Sequence, residues 1–133
     1  VLGMNATELE SNIQMSSWVQ QDLNDDQQLP FDDDCFDSVV CCVSVDYLVR
    51  PLEVFDEVHR CLKSGGVFVN TFSNRCFPTK AIQGWGQMDD QGHVAVVGEY
   101  FRRSGAWVDL HAELRTESSS PGDPLYAVWG YKK

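Results

Sequence analysis

The chain has no apolar run near the roughly 18 residues that cross a bilayer, so no transmembrane helix is expected. Cations are scarce. Ten Lys and Arg stand against twenty Asp and Glu in 133 residues, a net charge of −10. A surface that grips nucleic acid or an anionic membrane needs clustered Lys and Arg. Here the ten are scattered, so nucleic-acid binding is not expected and the acidity reads as a solvated surface. The five cysteines contain no C-x-x-C pair, and His59, His93 and His111 stand apart from one another. Neither a metal site nor a nucleophile–His–acid arrangement is therefore expected. No G-x-S-x-G occurs. A G-x-G-x-x-G near the start is also lacking, which counts against a dinucleotide-dependent oxidoreductase. Nor is there an E/D-x-G-x-G-x-G loop, of which Gly84-Trp85-Gly86 is a lone echo in the wrong part of the order.

What is present is an ordinary globular composition, 43% hydrophobic with four Trp and seven Phe, enough to bury a core. The length admits one domain, spanning 1–133 and short for the class argued below. Cys41 and Cys42 are adjacent in an apolar run, where the side chains of a strand alternate between faces. Free buried thiols suit a reducing compartment, so an intracellular location is expected, in cytosol, plastid stroma or mitochondrial matrix alike. Val1-Leu2-Gly3 lacks the charged n-region of a signal peptide. It also lacks Met, so the chain is read as processed, truncated or incompletely reported.

Val1–Met4 reads as the end of a strand, followed by a short helix through Asn12 with Thr7 as N-cap. Trp18-Val19 marks a short strand, and 24–34 is a polar, Pro-containing loop. Ser38–Val45 is a near-continuous apolar run, the pattern of a strand buried on both faces. Pro51–Leu62 places Leu52, Phe55, Val58 and Leu62 at helical spacing, with Pro51 in the first turn and Gly65-Gly66 as the left-handed stop. Val67–Phe72 is the next strand. Segments 80–85 and 94–104 read as helices, 106–114 and 125–131 as strands joined by a polar loop that contains Ser118–Ser120. Alternating strands and helices closed by a hairpin make an α/β pattern.

The linked order Gly3-Met4-Asn5, Asp22-Leu23, Leu29-Pro30-Phe31, Phe36-Asp37 and Arg60-Cys61-Leu62-Lys63-Ser64-Gly65-Gly66 resembles the class I S-adenosylmethionine (SAM)-dependent methyltransferases of the type 11 kind. The resemblance implies a Rossmann-like sheet of order 3-2-1-4-5-7-6, of which this chain carries strands 2 to 7. It places Asn5 where the family holds the ribose hydroxyls with an acid, and an Asn offers only neutral hydrogen bonds there. Asp22 and Leu23 fall where the family holds the adenine amino group and ring edge. Ser44-Val45-Asp46-Tyr47-Leu48 follows the fourth strand, where ligands bind in open α/β sheets, so that Ser44 and Tyr47 are cofactor contacts and Tyr47 or Leu48 packs near the methionine part of SAM. Phe72–Lys80 sits where substrate is met, with Asn74 and Arg75 as contacts. That segment looks like a type 11 subgroup common in photosynthetic organisms.

The family's first strand and its glycine-rich SAM loop are not found. Without that strand the sheet has a gap between strands 2 and 4, whose buried edges cost about 1–3 kcal/mol per unpaired group. Two readings follow. One is a methyltransferase acting on a small molecule with SAM as cofactor. The other is a catalytically inactive, methyltransferase-like accessory subunit of a larger assembly, with Trp85, Trp107 and Trp129 as candidate docking residues.

Overall fold

A computed structural model describes residues 1–117 and 122–133. The serine run 118–120 lies outside the described residues. In chain order the elements are β1 (Leu2–Gly3), α1 (Ala6–Ser11), β2 (Val19–Gln20), β3 (Phe36–Cys42), a 3-10 turn Val45–Tyr47, α2 (Pro51–Cys61), β4 (Leu62–Phe72), a 3-10 turn Trp85–Gln87, α3 (Asp90–Arg103), β5 (Trp107–Leu114) and β6 (Tyr126–Lys132).

The strands form two separate sheets. β1 pairs in parallel with β2, and a four-stranded sheet runs in the order β3-β4-β6-β5. β3 and β4 are parallel, while β6 is antiparallel to both β4 and β5. This is the expected order with its central member missing. β3 ends the larger sheet, and its free edge faces β1 across an apolar cavity of about 400 Å3 lined by Val1, Leu2 and Leu23 on one side and Val39–Cys42 on the other. The expected double burial of Ser38–Val45 is therefore not met. The strand stops at Cys42, and Val40 within it and Val43 beyond it are 61% and 48% exposed.

α2 and α3 pack on the sheet through an aromatic cluster. The Phe55 ring lies 4.9 Å from Phe68 and 5.0 Å from Phe101, edge-on to both. These three side chains are at most 1% exposed. Of the expected stripe Phe55 and Val58 are buried, joined by Val54 and Cys61 on the same helical face, whereas Leu52 is half-buried and Leu62 is buried as the first residue of β4. The end of α2 differs from expectation. Helical backbone stops at Cys61, Leu62 is already extended, and no glycine caps the helix. Gly65, at φ +77, belongs instead to a bulge in which Lys63–Gly66 loop out between the pairs Phe36↔Leu62 and Ser38↔Val67. Gly66 is sterically required there, since a Cβ would sit 2.8 Å from the Lys63 carbonyl oxygen and 3.1 Å from that of Asp37.

Arg60 fastens the acidic loop to α2. Its guanidinium donates to Glu57 (2.9 and 2.8 Å), Asp33 (2.7 Å) and the carbonyls of Phe31 (2.9 Å) and Leu29 (3.0 Å). Glu57 in turn accepts from the Leu29 N–H at 2.8 Å. Leu29 is thereby seated in the core.

Three further local readings are corrected. Asn5, not Thr7, caps α1, its Oδ1 accepting from the N–H of Thr7 (3.1 Å) and Glu8 (3.4 Å). Segment 80–85 is not a helix but turns anchored by the Ile82 N–H on the Asp46 carbonyl at 2.8 Å. α3 begins at Asp90 rather than Val94, because Asp89 Oδ1 accepts from the Gly92 N–H (2.8 Å) and starts the helix one turn earlier.

Candidate functional site

β1 and β2 run in parallel, and the loops that leave the carboxyl ends of β1, β2 and β3 meet at one cleft. Asn5 follows β1, Asp22 and Leu23 follow β2, and Ser44 and Tyr47 follow β3. All five line one cleft of about 310 Å3, together with Gly3, Glu8, Asn24 and Leu48 among others. Residues up to 42 positions apart are brought together because strand ends converge there. In open α/β sheets this is where ligands bind, beside the point where strand order reverses.

The donors and acceptors of the cleft are partly committed. The Asn5 side-chain oxygen is engaged by the two N–H groups it caps, which leaves its amide NH2 as the group to offer a ligand. One Asp22 oxygen accepts from the Asn24 N–H at 2.9 Å, an Asx turn. No hydrogen bond among the described residues engages the other oxygen. Ser44 donates its hydroxyl to the Cys42 carbonyl at 2.8 Å. The Tyr47 hydroxyl accepts from the Phe77 N–H at 3.1 Å, and burial raises its pKa above the ordinary value. Burial also raises the carboxyl of Asp46, 4% exposed, above the usual carboxylate range.

Asn24 was not singled out from the sequence, yet it spans the cleft. Its amide donates to the Tyr47 carbonyl (2.9 Å) and its oxygen accepts from the Val49 N–H (2.9 Å). One side chain thus ties the β2 loop to the turn after β3. The visible signal is the spacing Asp22-x-Asn24, an Asx-turn pattern, but nothing local says that the Asn reaches a segment more than twenty residues away.

The two residues expected on the substrate side separate. Asn74 is exposed and lines neither this cleft nor its neighbour. Arg75 lines a second cavity of about 310 Å3 with Val43, Tyr47, Cys76 and Phe77, and pairs with Asp123 at 3.1 Å. Of the three tryptophans, Trp85 is fully buried and stacks on His93 at 4.1 Å, so it is closed to docking. Trp107 packs on His59 and Phe101, and Trp129 stacks on His111. Each histidine is thus spent on an aromatic contact. Among the described residues no cluster of His, Cys, Asp and Glu could hold a metal ion, and no helix is long and apolar enough to cross a membrane.

Carboxyl-end loops around one cleft, on a sheet ordered in this way, define an α/β domain of the class I methyltransferase type. The family described as "Methyltransferase domain" matches residues 3–70, just over half of the chain, and the chain belongs to that family. Over 72 residues, 54% of its length, the chain is 32% identical to the biotin biosynthesis bifunctional protein BioHC of Teredinibacter turnerae, of which it covers 13%. A SAM-dependent methyltransferase of Archaeoglobus fulgidus superposes with a TM-score of 0.67 at 13% identity, covering 98% of this chain and 74% of that one. A SAM-dependent methyltransferase of Thermotoga maritima, described as a possible histamine N-methyltransferase, gives 0.60 at 15% identity, covering 87% and 63%. These superpositions show the fold. The chain spans less than two thirds of the BioHC and Thermotoga proteins.

Proposed function

We propose that the cleft at the ends of β1, β2 and β3 binds SAM and that the protein transfers its methyl group to a small molecule. The observation that carries this is the convergence of Asn5, Asp22, Leu23, Ser44 and Tyr47 on one cleft. The residues present fit such a ligand. Asp22 keeps a carboxylate oxygen for the adenine amino group, with the Leu23 backbone beside it for the ring edge. Asn5 offers its amide to the ribose. Ser44 and Tyr47 border the far end, where the methionine part would lie. When bound, SAM supplies a methyl group already activated for displacement. The chain's own task is then to bind, orient and exclude water, and positioning alone is worth about 7–11 kcal/mol in well-oriented reactions.

The facing edges of β1 and β3 belong to this reading. An extended apolar segment paired with both edges would join the two sheets and wall the cleft on its open side. Asn24, Leu23 and the Arg60-held loop keep the smaller sheet in place beside that slot.

The test is a titration with S-adenosylhomocysteine followed by amide NMR shifts. Saturable shifts at Asn5, Asp22, Leu23 and Tyr47 are expected, and loss of binding in Asp22→Ala. No shift at millimolar ligand would overturn the reading. A second reading, a non-catalytic methyltransferase-like subunit in a larger assembly, draws on the committed Asn5 oxygen and on the exposed Val40 of β3 and Val43 just beyond it. It predicts a protein that binds a partner chain along β3 and leaves S-adenosylhomocysteine unbound in the assembled state.

A further inference from the structure

The Tyr47 side chain borders two cavities at once. On one side is the cleft of Asn5, Asp22 and Ser44; on the other is the cavity of Val43, Arg75, Cys76 and Phe77, of similar volume. We propose that this second cavity holds the methyl acceptor and that it takes a small aromatic acid, with Tyr47 as the wall shared with the cofactor. The proposal rests on the cofactor reading above.

Three observations carry it. First, the Tyr47 and Phe77 rings stand 6.5 Å apart at a tilt of 34°. Two stacked contacts at about 3.5 Å each span about 7 Å, so a small opening admits a flat ring between them. The hydrogen bond from the Phe77 N–H to the Tyr47 hydroxyl ties the two residues together. Phe77 is 67% exposed, a large aromatic with little of its own to pack on.

Second, the rim is cationic in an acidic protein. From Ser64 to Met88 the chain carries Arg75 and Lys80 and no acid, against a net charge of −10 overall. Lys80 Nζ lies 5.6 Å from the Phe77 ring centroid. Among the described residues Arg75 pairs with Asp123, itself 45% exposed, in a pair that solvent screens and an anion can displace. Buried Asp46, next to Tyr47, is the other acid of this region, and its carboxyl is raised above the usual range.

Third, Val43, between Ser44 and the strand, has φ +45. A β-branched residue there is strained backbone, which persists where the surrounding structure holds it and clusters at ligand sites. Its N–H donates to the Thr71 carbonyl at 2.8 Å, which holds that bend in place.

An aromatic acid so placed puts its carboxylate on Arg75 and turns a hydroxyl or amine substituent past Tyr47. A lone pair of that heteroatom forms the new bond to the methyl carbon, the carbon–sulfur pair returns to sulfur, and the heteroatom's proton goes to water.

The test titrates benzoate, benzyl alcohol and acetate into the S-adenosylhomocysteine-saturated protein and reads amide NMR shifts. Benzoate is expected to shift Tyr47, Arg75, Cys76 and Phe77 saturably. Benzyl alcohol, lacking the charge, and acetate, lacking the ring, are each expected to bind about tenfold more weakly, the loss of one charge-assisted or stacking contact. Arg75→Ala should weaken benzoate by a similar factor, and Asp123→Asn should tighten it by freeing Arg75, while neither changes the S-adenosylhomocysteine titration. Benzoate shifts elsewhere, equal binding of benzyl alcohol, or indifference to both variants would overturn the acceptor cavity. Absence of S-adenosylhomocysteine shifts at Asn5, Asp22 and Leu23 would instead overturn the cofactor reading on which it rests.

Discussion

Replacing Asn5 by Asp tests the cofactor cleft through a gain rather than a loss. In the structure the Asn5 oxygen accepts from Thr7 and Glu8 and so caps α1, leaving an amide NH2 for a ribose oxygen. An Asp can keep that cap with one oxygen, since Asn and Asp cap equally well, and present the second to the hydroxyls. Neutral hydrogen bonds contribute about 0.5–1.5 kcal/mol and those to charged groups about 1.5–3. The difference, about 1 kcal/mol, corresponds to about fivefold in affinity. Calorimetric titration with S-adenosylhomocysteine at pH 7 should show that tightening, with a melting temperature unchanged or slightly raised by a negative charge at the start of α1. Asn5→Ala is the control. It removes the cap, costs about 1 kcal/mol and should lower both melting temperature and affinity. Equal or weaker binding by a stably folded Asn5→Asp protein, or no binding by either, would refute the argument.

Other outcomes follow from the fold. Arg60→Ala breaks five hydrogen bonds of a guanidinium that is 29% exposed; urea denaturation should show a loss of about 2–3 kcal/mol, and a loss below about 0.5 would contradict the latch. The Arg60 guanidinium, helped by the Leu29 N–H, holds the Glu57 carboxyl below its usual range. That stability is therefore present above the unfolded carboxylate pKa of about 4.3 and is lost as pH falls through the lower folded value. Urea midpoints taken from pH 7 to 3 should fall less in Glu57→Gln than in the parent protein. Gly66→Ala forces a Cβ against two carbonyl oxygens and should destabilise by about 1–3 kcal/mol, whereas Gly86→Ala, which meets nothing within 4 Å, should not. Burial pushes the Cys41 thiol up to about 11, while Cys35 and Cys42 are exposed. At pH 8, mass-spectrometric mapping should find Cys41 about a hundredfold slower to alkylate than an ordinary thiol.

Much of the architecture was legible because it rests on short-range periodicity. Phe55 and Val58 have to face one way once the segment is helical, and Val67–Phe72 reads as a strand, its side chains alternating between half-buried and buried. Motif order along the chain gave the family and the sheet order. The end of α2 was misplaced because Gly65-Gly66 has the local chemistry of a helix stop. Only pairing with β3 makes it a bulge inside a strand. The start of α3 was missed because Asp89-Asp90 reads as a loop until its carboxylate meets the Gly92 N–H. Segment 80–85 has helical propensity, but the Asp46 carbonyl claims its Ile82 N–H.

The site divides along the same line. Residue types and their order nominated Asn5, Asp22, Leu23, Ser44 and Tyr47, and the parallel strands placed them on one cleft. Neither Asn24 bridging Asp22's turn to Tyr47 nor Asn5 spending its oxygen on α1 can be read from a spacing, because each depends on which backbone groups arrive nearby. The sequence alone determined helical faces and the chemistry available at the strand ends, since these follow from each residue and its near neighbours; strand order was legible only through the family that the motif order resembles. Tertiary structure decided which of those groups remain free, that Tyr47 borders two cavities, and that β1 and β3 face each other with open edges. Hydrogen-bond capacity is shared among whatever the fold brings together, so its allocation is settled only in three dimensions.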